Sequence, residues 1–253
     1  MRPAPIYAIS VSYGNDSMAM IQWAHEVGLN MWGDVYVVYC DTGWAQPGWE
    51  TRIAQGEDLA VRYGFIPVQT KSMGMSELVR MKKGWPGNGQ QFCTAFLKGV
   101  PFLEWIDEVD TAREAVILVG KRRAESVKRR DTPEFIEQSE YHGDRTLWHP
   151  LYLHTDEERD GLLARGGIER LDHRSQECSP CVNANRGDFL RLQPAELAKV
   201  NALEVEVGKP MFRPKRYHGM GIYGVAMWAR HGKHHEEPIP EDEGCGAPFG
   251  CGL

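Results

Sequence analysis

The sequence predicts an α/β protein in which a parallel β-sheet is flanked by helices and followed by a cysteine-bearing, loop-rich appendage. Short β-branched apolar runs alternate with helical patterns, and their spacing suits crossover helices between parallel strands. The 253 residues suffice for one large core, or for one core with a smaller appendage. With 42% hydrophobic and 25% charged residues, the composition is that of a globular protein. It excludes collagen, a coiled coil and a disordered chain.

The predicted elements follow one another in the order that βαβ units require. Strands are predicted at 6–11, 35–39, 65–68 and 115–119, and helices at about 18–27, 47–63, 94–109 and 194–207. Residues 72–91 are rich in Gly and Met and give no clear assignment. Beyond about residue 130 the alternation fades, and we expect helices and loops there. We therefore divide the chain into an α/β domain, 1–160, and a C-terminal region, 161–253.

The position of the chemistry follows from the sheet. In open parallel sheets, ligands bind beyond the carboxyl ends of the strands, where the strand order reverses. We therefore expect functional residues just after Val11, Tyr39 and Val119.

The loop after the first predicted strand has the features of an anion site. It consists of Ser12, Tyr13, Gly14, Asn15, Asp16 and Ser17. Gly14 permits a tight turn, the serines supply hydroxyl groups, and the free amides at a helix start favour an anion. On spacing alone, a plain strand-to-helix turn with a capping serine remains the alternative.

The S-x-G-x-D-S pattern of this loop resembles the PP-loop of the adenine nucleotide α-hydrolase superfamily. That superfamily includes ATP pyrophosphatases and the sulfonucleotide (PAPS or APS) reductases. The loop is not a Walker A motif, because the GK[ST] ending is missing. The common form has glycine where Tyr13 stands, and an aromatic residue there is similar to the reductase branch.

Four further stretches resemble that branch, in the same order along the chain. They are Asp41-Thr42-Gly43 with Pro47 and Glu50, residues 92–98 with Pro101, residues 120–126 with Arg129, and His149-Pro150-Leu151 with Thr155 and Asp156. Over residues 6 to about 160, the chain is thus identified as PAPS reductase-like. The resemblance implies a Rossmann-like (HUP-type) sheet that binds ATP or PAPS with Mg²⁺.

The resemblance also implies which residues form the nucleotide site. Binding residues are the whole loop 12–17 together with Asp41, Thr42, Gly43, Gly120, Arg122, Arg123 and Arg129. Asp41 would contact the adenosine or help to hold Mg²⁺, which prefers carboxylate and phosphate oxygens. The arginines and Lys98 supply charge for phosphate or a leaving pyrophosphate. We predict Asp16, Lys98 and Arg122 as the catalytic residues.

Four of the six cysteines form two close pairs that suit a metal. Cys178 and Cys181 form a C-x-x-C pair, and Cys245 with Cys251 would complete a four-thiolate site. Spacing alone leaves zinc and an iron–sulfur cluster open, whereas the resemblance favours a [4Fe–4S] cluster. Cys93 is an alternative ligand, because cluster-bearing relatives have cysteines at that position.

Two other cysteine roles follow from the sequence. The ending Gly250-Cys251-Gly252-Leu253 shares C-G-L with the nucleophile motif of the reductases, so Cys251 is either a ligand or a nucleophile. It lacks the preceding Glu and the terminal His of that motif. Cys40 lies in a predicted strand, and we expect it in the core.

The leading functional hypothesis is cleavage of ATP between the α and β phosphates to AMP and pyrophosphate, with adenylation of an acceptor for sulfur transfer. The alternatives are a true PAPS or APS reductase with a thioredoxin-like donor, and an accessory nucleotide-binding protein of a phage or CRISPR-type defence system. The basic run 121–130 suggests a nucleic-acid or ribonucleoprotein acceptor.

Charge and hydropathy set the remaining expectations. No apolar run reaches the ~20 residues of a membrane span, and the N-terminus shows no signal-peptide pattern. We therefore expect a cytoplasmic protein without a membrane partner. A net charge of −6 excludes a surface that is basic throughout. The sequence makes no prediction of the oligomeric state.

Overall fold

The computed structural model describes residues 4–87, 90–212 and 221–231. Its strands are β1 (Ile6–Val11), β2 (Asp34–Asp41), β3 (Ile66–Lys71), β4 (Val116–Val119), β5 (Phe135–Ser139) and β6 (Arg145–Trp148). Its α-helices are α1 (Asn15–Glu26), α2 (Trp49–Arg62), α3 (Met75–Lys82), α4 (Phe92–Thr94), α5 (Val100–Val109), α6 (Asp156–Arg165), α7 (Arg186–Arg191), α8 (Pro194–Val207) and α9 (Gly221–His231). A π-helical turn, Ala95–Gly99, joins α4 to α5.

The strands form one six-stranded sheet in the order β3-β2-β1-β4-β6-β5. All neighbours are parallel except β5, which runs antiparallel to β6. Chain order reverses between β1 and β4, so the switch point lies at the carboxyl ends of these two strands. The predicted α/β fold with a parallel sheet flanked by helices is confirmed.

Both faces of the sheet are packed against helices. Successive side chains of a strand point to opposite sides, so each central strand contributes apolar residues to both faces. On one face, Ile9, Val37 and Leu118 pack with residues of α1, α2 and α6. On the other face, their chain neighbours Ala8, Val38 and Ile117 pack with Phe102 and Ile106 of α5. Cys40 belongs to this second face and is buried, as predicted.

A further hydrophobic cluster lies outside the two sheet faces. It combines residues of α3 and of the 92–97 segment with buried residues of α7, α8 and α9, including Phe189, Val200 and Val225. Trp44, from the loop after β2, is fully buried within it. The C-terminal helices therefore share this cluster with elements of the first 160 residues. The division at residue 160 stays a prediction.

Three local expectations need correction. The unassigned stretch 72–91 contains α3, and the predicted helix 94–109 is interrupted by the π-helical turn. The expectation of only helices and loops past residue 130 is wrong, because β5 and β6 lie there. β5 is a mostly exposed edge strand, and β6 has only four residues, so neither shows the apolar run of a buried parallel strand.

In the part of the chain that the structure describes, no helix is long and apolar enough to cross a membrane.

Candidate functional site

The loops at the switch point meet at the carboxyl edge of β1 and β4. The loop after β1 leads into α1, and Gly120 follows β4 directly. A Cβ atom added at Gly120 would lie 3.4 Å from the carbonyl oxygen of Asp16. Two of the predicted segments therefore touch where the fold places a ligand cleft.

The loop between β1 and α1 is organised by its own serines. The amide of Gly14 donates to Ser12 Oγ (3.3 Å), and Ser17 Oγ donates to the Gly14 carbonyl (3.3 Å). Both serines are fully buried. Gly14 is the N-cap of α1, so the first amides of the helix lack intrahelical acceptors. This arrangement offers backbone donors to an anion.

Tyr13 contributes its backbone to the loop, while its side chain belongs to the core. Its φ of 58° is left-handed, a conformation that glycine adopts most easily. The ring is fully buried, 5.5 Å from the ring of Tyr39. A Cβ atom at Gly56 of α2 would lie 2.0 Å from Tyr13 Cδ1. Burial raises the pKa of Tyr13, so its hydroxyl stays neutral.

Asn15, also predicted to bind the nucleotide, uses its side chain for a structural contact. Its Nδ2 donates to the Leu171 carbonyl (2.9 Å), and its Oδ1 accepts from the Leu171 amide (3.0 Å). This two-bond contact fastens the segment around residue 171 to the start of α1. The side chain is therefore engaged, and the backbone amide is what Asn15 offers to a ligand.

Two of the predicted catalytic residues form an ion pair with each other. Arg122 Nε bonds to Asp16 Oδ1, and Arg122 Nη2 bonds to Asp156 Oδ1 (2.8 Å). Burial opposes the charge of Arg122, but the two carboxylates raise its pKa overall. Arg159 also approaches Asp16, at 3.7 Å. Arg122 is only 1% exposed, so it lies beneath the cleft instead of at its surface.

The other two predicted arginines have separate environments. Arg129 is buried and pairs with Glu125. Burial raises the pKa of Glu125 to about 7, against the opposing charge of Arg129. Arg123 is exposed, with its guanidinium 5.0 Å from the Tyr152 ring and its Nε donating to the Thr132 carbonyl (2.9 Å).

The loop after β2 turns sharply at its glycine. Gly43 has a φ of 61°, and its amide donates to Asp41 Oδ1 (2.8 Å). Thr42 is fully buried and donates through Oγ1 to the Glu177 carbonyl (3.0 Å). Lys199 of α8 donates to the Gly43 carbonyl (3.3 Å), and its Nζ lies 3.9 Å from the Trp44 ring centroid. Sequence reasoning missed Lys199, since nothing in α8 indicates this contact.

The C-x-x-C segment docks on this same loop. The Ser179 amide donates to the Trp44 carbonyl (2.8 Å), and Trp44 Nε1 donates to the Pro180 carbonyl (3.1 Å). Cys178 Sγ lies 3.6 Å from Thr42 Oγ1. The cysteine pair is therefore part of the wall at the carboxyl edge of the sheet.

A buried ion pair strengthens this docking. Lys98, in the π-helical turn, pairs with Glu177, and their side chains are 8% and 4% exposed. Lys98 was predicted to face phosphate, whereas here it holds the residue that precedes Cys178. Glu177 is not among the predicted site residues, although its position next to the C-x-x-C pair could have indicated it.

The predicted metal ligands are only partly brought together. Cys178 and Cys181 both line one small, open pocket. Cys93 is buried in the hydrophobic cluster against which Cys178 packs. Cys245 and Cys251 lie outside the described residues. Within 4–87, 90–212 and 221–231, no group of three or more His, Cys, Asp or Glu side chains is arranged to hold a metal ion.

Comparison with known proteins identifies the family. No curated protein matches the chain. Two solved structures resemble it weakly in shape. The first is a PAPS reductase from Candida auris in a phosphate complex, with TM-score 0.46, 13% identity, 66% of this chain and 75% of that chain covered. The second is the U34-tRNA thiolase NcsA from Methanococcus maripaludis with its [4Fe-4S] cluster, with TM-score 0.47, 15% identity, 91% of this chain and 74% of that chain covered.

Similarity at that level carries no information about activity. The sequence model of the phosphoadenosine phosphosulfate reductase domain, by contrast, matches residues 6–176, well over half of the chain. This match includes the loop after β1, the loops after β2 and β4, and the segment that leads into the cysteine pair. The chain belongs to the phosphoadenosine phosphosulfate reductase domain family.

Proposed function

We propose that this protein binds an adenine nucleotide at the switch point and cleaves ATP between the α and β phosphates, activating an acceptor for sulfur transfer. The observation that carries the proposal is the contact of Cys178 Sγ with Thr42 Oγ1, at 3.6 Å. It brings a thiol to the same edge of the sheet as the anion loop 12–17. In this proposal, phosphate chemistry and sulfur chemistry share one cleft at that edge.

The binding roles follow from the donors at that edge. Ser12, Gly14 and Ser17, with the first amides of α1, bind phosphate oxygens. Asp41 lies at the end of β2 and contacts the nucleoside or a Mg²⁺ ion bound with the phosphates. Arg122 keeps Asp16 in place through their ion pair, and Arg129 adds positive charge beside the phosphates.

The reaction proceeds at the α-phosphorus. An acceptor oxygen attacks it, the bond to the bridging β-phosphate oxygen breaks, and pyrophosphate leaves with the electron pair of that bond. If the acceptor is a carbonyl oxygen, hydrosulfide then attacks the activated carbon and AMP departs. If water is the acceptor, the products are AMP and pyrophosphate.

A metal at the cysteine pair is part of this proposal. Cys178 and Cys181 line one pocket and supply two thiolates, which fits half of a four-thiolate site. Cys245 and Cys251 would provide the rest, with Cys93 as the alternative. A [4Fe–4S] cluster, or zinc in its place, would hold the sulfur donor close to the acceptor or organise the thiolates.

The acceptor proposed for this cleft is a nucleic acid or ribonucleoprotein. Arg123, Lys128 and Arg130 are exposed in the segment that follows β4. Such a basic rim suits backbone phosphates, which receive most contacts in nucleic-acid recognition. The rim would therefore bring the acceptor to the bound nucleotide.

Sulfonucleotide reduction is the second candidate, and the family match favours it. In that reaction a thiolate attacks the sulfate sulfur of PAPS, the S–O bond breaks, and adenosine 3′,5′-bisphosphate leaves. A thioredoxin-like dithiol then reduces the S-sulfocysteine and releases sulfite. The cysteine in this case is Cys251 or a member of the C-x-x-C pair.

Product analysis separates the candidates. The anaerobically purified protein is incubated with Mg²⁺ and either ATP or PAPS plus a dithiol reductant. AMP and pyrophosphate from ATP support the leading proposal, whereas sulfite and adenosine 3′,5′-bisphosphate from PAPS support the reductase. Nucleotide binding without products from either indicates an accessory role or a missing acceptor.

Two matched variants control this experiment. Asp16→Asn removes the charge at the loop, and we expect it to abolish nucleotide binding. Asp34→Asn changes an exposed aspartate at the opposite edge of the sheet, and we expect no effect. Equal binding by the wild type and Asp16→Asn would contradict the proposed site.

A further inference from the structure

The side chain of Arg52, in α2, hydrogen-bonds to the backbone of the anion loop 12–17. Its Nε donates to the Tyr13 carbonyl (3.1 Å), and its Nη1 donates to the Glu169 carbonyl (3.1 Å) and to Gln55 Oε1 (3.3 Å). The residue is 6% exposed. One arginine thus joins α2, the loop after β1 and the segment beyond α6.

The charge of Arg52 is not neutralised by these contacts. Its Nη2 is buried without a hydrogen-bond partner, and among residues 4–87, 90–212 and 221–231 no carboxylate lies within ion-pair distance of it. Glu169 acts only at longer range, so burial prevails and lowers the pKa of Arg52. A buried charge without a counter-ion is costly, and an anion bound nearby would reduce that cost.

The bond to Tyr13 also fixes the direction of the next amide. The Tyr13 carbonyl and the Gly14 N–H belong to one planar trans peptide, so they point in opposite directions. Holding the carbonyl toward Arg52 turns the Gly14 N–H toward Ser12 Oγ, on the other side of the loop. Tyr13 needs such support because a left-handed φ is unfavourable for a residue with a side chain.

We propose that Arg52 is a positioning residue of the anion loop. It fixes the Tyr13–Gly14 peptide, whose amide bonds to Ser12 Oγ, and so holds the loop in the conformation in which the next amides, at the start of α1, face a phosphate group. It also supplies positive charge next to the loop. This inference rests on the proposed binding of a nucleotide at residues 12–17. It assigns a role to a residue outside every motif that the sequence analysis identified.

The test measures binding of ATP and of inorganic pyrophosphate by calorimetry, at low and at high salt, together with the melting temperature. We expect Arg52→Gln to weaken both ligands about tenfold, the scale of one charge-assisted hydrogen bond. Arg52→Lys keeps the charge but not the paired bonds, and we expect intermediate binding. Arg62→Gln, an exposed arginine on the same helix, is the matched control and should bind like the wild type.

The outcomes distinguish this inference from the proposed function. If the wild type binds and Arg52→Gln binds equally well, the inference is overturned and the nucleotide site stands, even if the melting temperature falls. Absence of binding by the wild type overturns both. If Arg52→Gln does not fold, Arg52→Lys decides: an unchanged affinity at both salt concentrations overturns the inference, and a weakened one supports it.

Discussion

At the scale of single residues, Tyr13 and Gly56 are complementary, and this explains how an aromatic residue is tolerated at a left-handed loop position. The Tyr13 ring occupies the space where Gly56 lacks a Cβ atom. We predict that Gly56→Ala destabilises the protein by about 1–3 kcal/mol, because the added carbon meets the ring. In a Tyr13→Gly background the same change should cost far less, since alanine also favours the helix.

Urea unfolding of the four proteins measures this coupling. The Tyr13→Gly change alone has two opposite effects: it relieves the left-handed backbone and it leaves a cavity in the core. The double-mutant cycle isolates the contact from both effects. Equal costs of Gly56→Ala in the two backgrounds would show that the ring and the glycine are independent.

His149 is a residue whose burial predicts a dependence of stability on pH. Its Nδ1 contacts the Pro133 carbonyl (2.7 Å), and it is 2% exposed. Burial lowers its pKa from 6.5 to about 4. Between pH 6.5 and about pH 4, His149 is protonated in the unfolded chain but neutral in the folded protein. The stability of the folded protein therefore falls as the pH decreases through this range. Over the whole window, the free energy of unfolding falls by about 3 kcal/mol.

Asparagine at this position provides the test, because its amide can still donate to the Pro133 carbonyl. The free energy of unfolding is measured from pH 6.5 to pH 4 for the wild type and for His149→Asn. We expect the variant to lose less stability over this range. Because Glu125 acts in the opposite direction, only the difference between the two proteins reports on His149. Parallel curves would mean that His149 is not held neutral.

At the scale of elements, the Lys98–Glu177 pair connects the π-helical turn with the C-x-x-C segment. We predict that Lys98→Met or Glu177→Gln alone destabilises the protein by about 3–5 kcal/mol, because each removes one member of a buried ion pair. The double variant should lose less than the sum. Alkylation of Cys178 by iodoacetamide, followed by mass spectrometry, should become faster in the single variants as the segment loosens.

The exposed pair Arg80–Glu206 (2.6 Å) is the control for that cycle. Pairs of this kind contribute about 0–1 kcal/mol, so Arg80→Gln and Glu206→Gln should leave both stability and Cys178 alkylation nearly unchanged. Strictly additive losses for Lys98→Met and Glu177→Gln would exclude a direct interaction between the two side chains.

Glu204 makes a second connection between elements, at the end of the C-terminal helices. Its two carboxylate oxygens accept the amides of Met211 (2.8 Å) and Ile222 (2.9 Å). We predict that Glu204→Ala destabilises the packing of α9 by about 1–3 kcal/mol, since both amides lose their acceptor. Hydrogen exchange of α9 measures this loss, and Glu204→Gln, which keeps one acceptor oxygen, should show a smaller effect. Unchanged exchange in Glu204→Ala would contradict the assignment.

The elements differ in how well the sequence predicts them, and burial explains the difference. β1, β2 and β4 are central strands, and their continuous apolar runs predict them directly. β5 alternates weakly because most of its residues are exposed, and β6 contains the buried Arg145, whose buried ion pairs no local pattern reveals. Its partners, Asp107 and Asp110, come from the end of α5 and the loop that follows.

At the scale of the whole molecule, several of the residues predicted to form the site meet at the carboxyl edge of the sheet, where the sequence placed them, but the partners of several of their side chains were not predicted. Position follows from topology, which the alternation of elements reveals. Roles depend on long-range partners: Arg122 meets Asp156, and Lys98 meets Glu177. Such pairs join residues far apart in sequence, so a motif contains one member without its partner. The same reason kept Arg52 outside every predicted set.

Because the cysteine segment packs against the loop after β2, we predict that nucleotide binding stabilises the whole carboxyl edge of the sheet. Three separate segments form that edge: 12–17, 120–126 and 176–181. We predict that saturating ATP with Mg²⁺ slows amide exchange in all three, because a ligand that binds only the native state suppresses its local openings. The segment 29–34, at the opposite edge of the sheet, should exchange at an unchanged rate.

Exchange measured by mass spectrometry, with and without the nucleotide, distinguishes a common cleft from two separate sites. Protection of 12–17 and 120–126 without 176–181 would separate the cysteine pair from the nucleotide and remove the basis for sulfur transfer in this cleft. In Glu177→Gln, the proposed common cleft predicts that protection persists at 12–17 and weakens at 176–181. The proposed connection between phosphate and thiol depends on that buried carboxylate, because its ion pair with Lys98 holds the residue that precedes Cys178 and whose backbone carbonyl accepts the Thr42 hydroxyl.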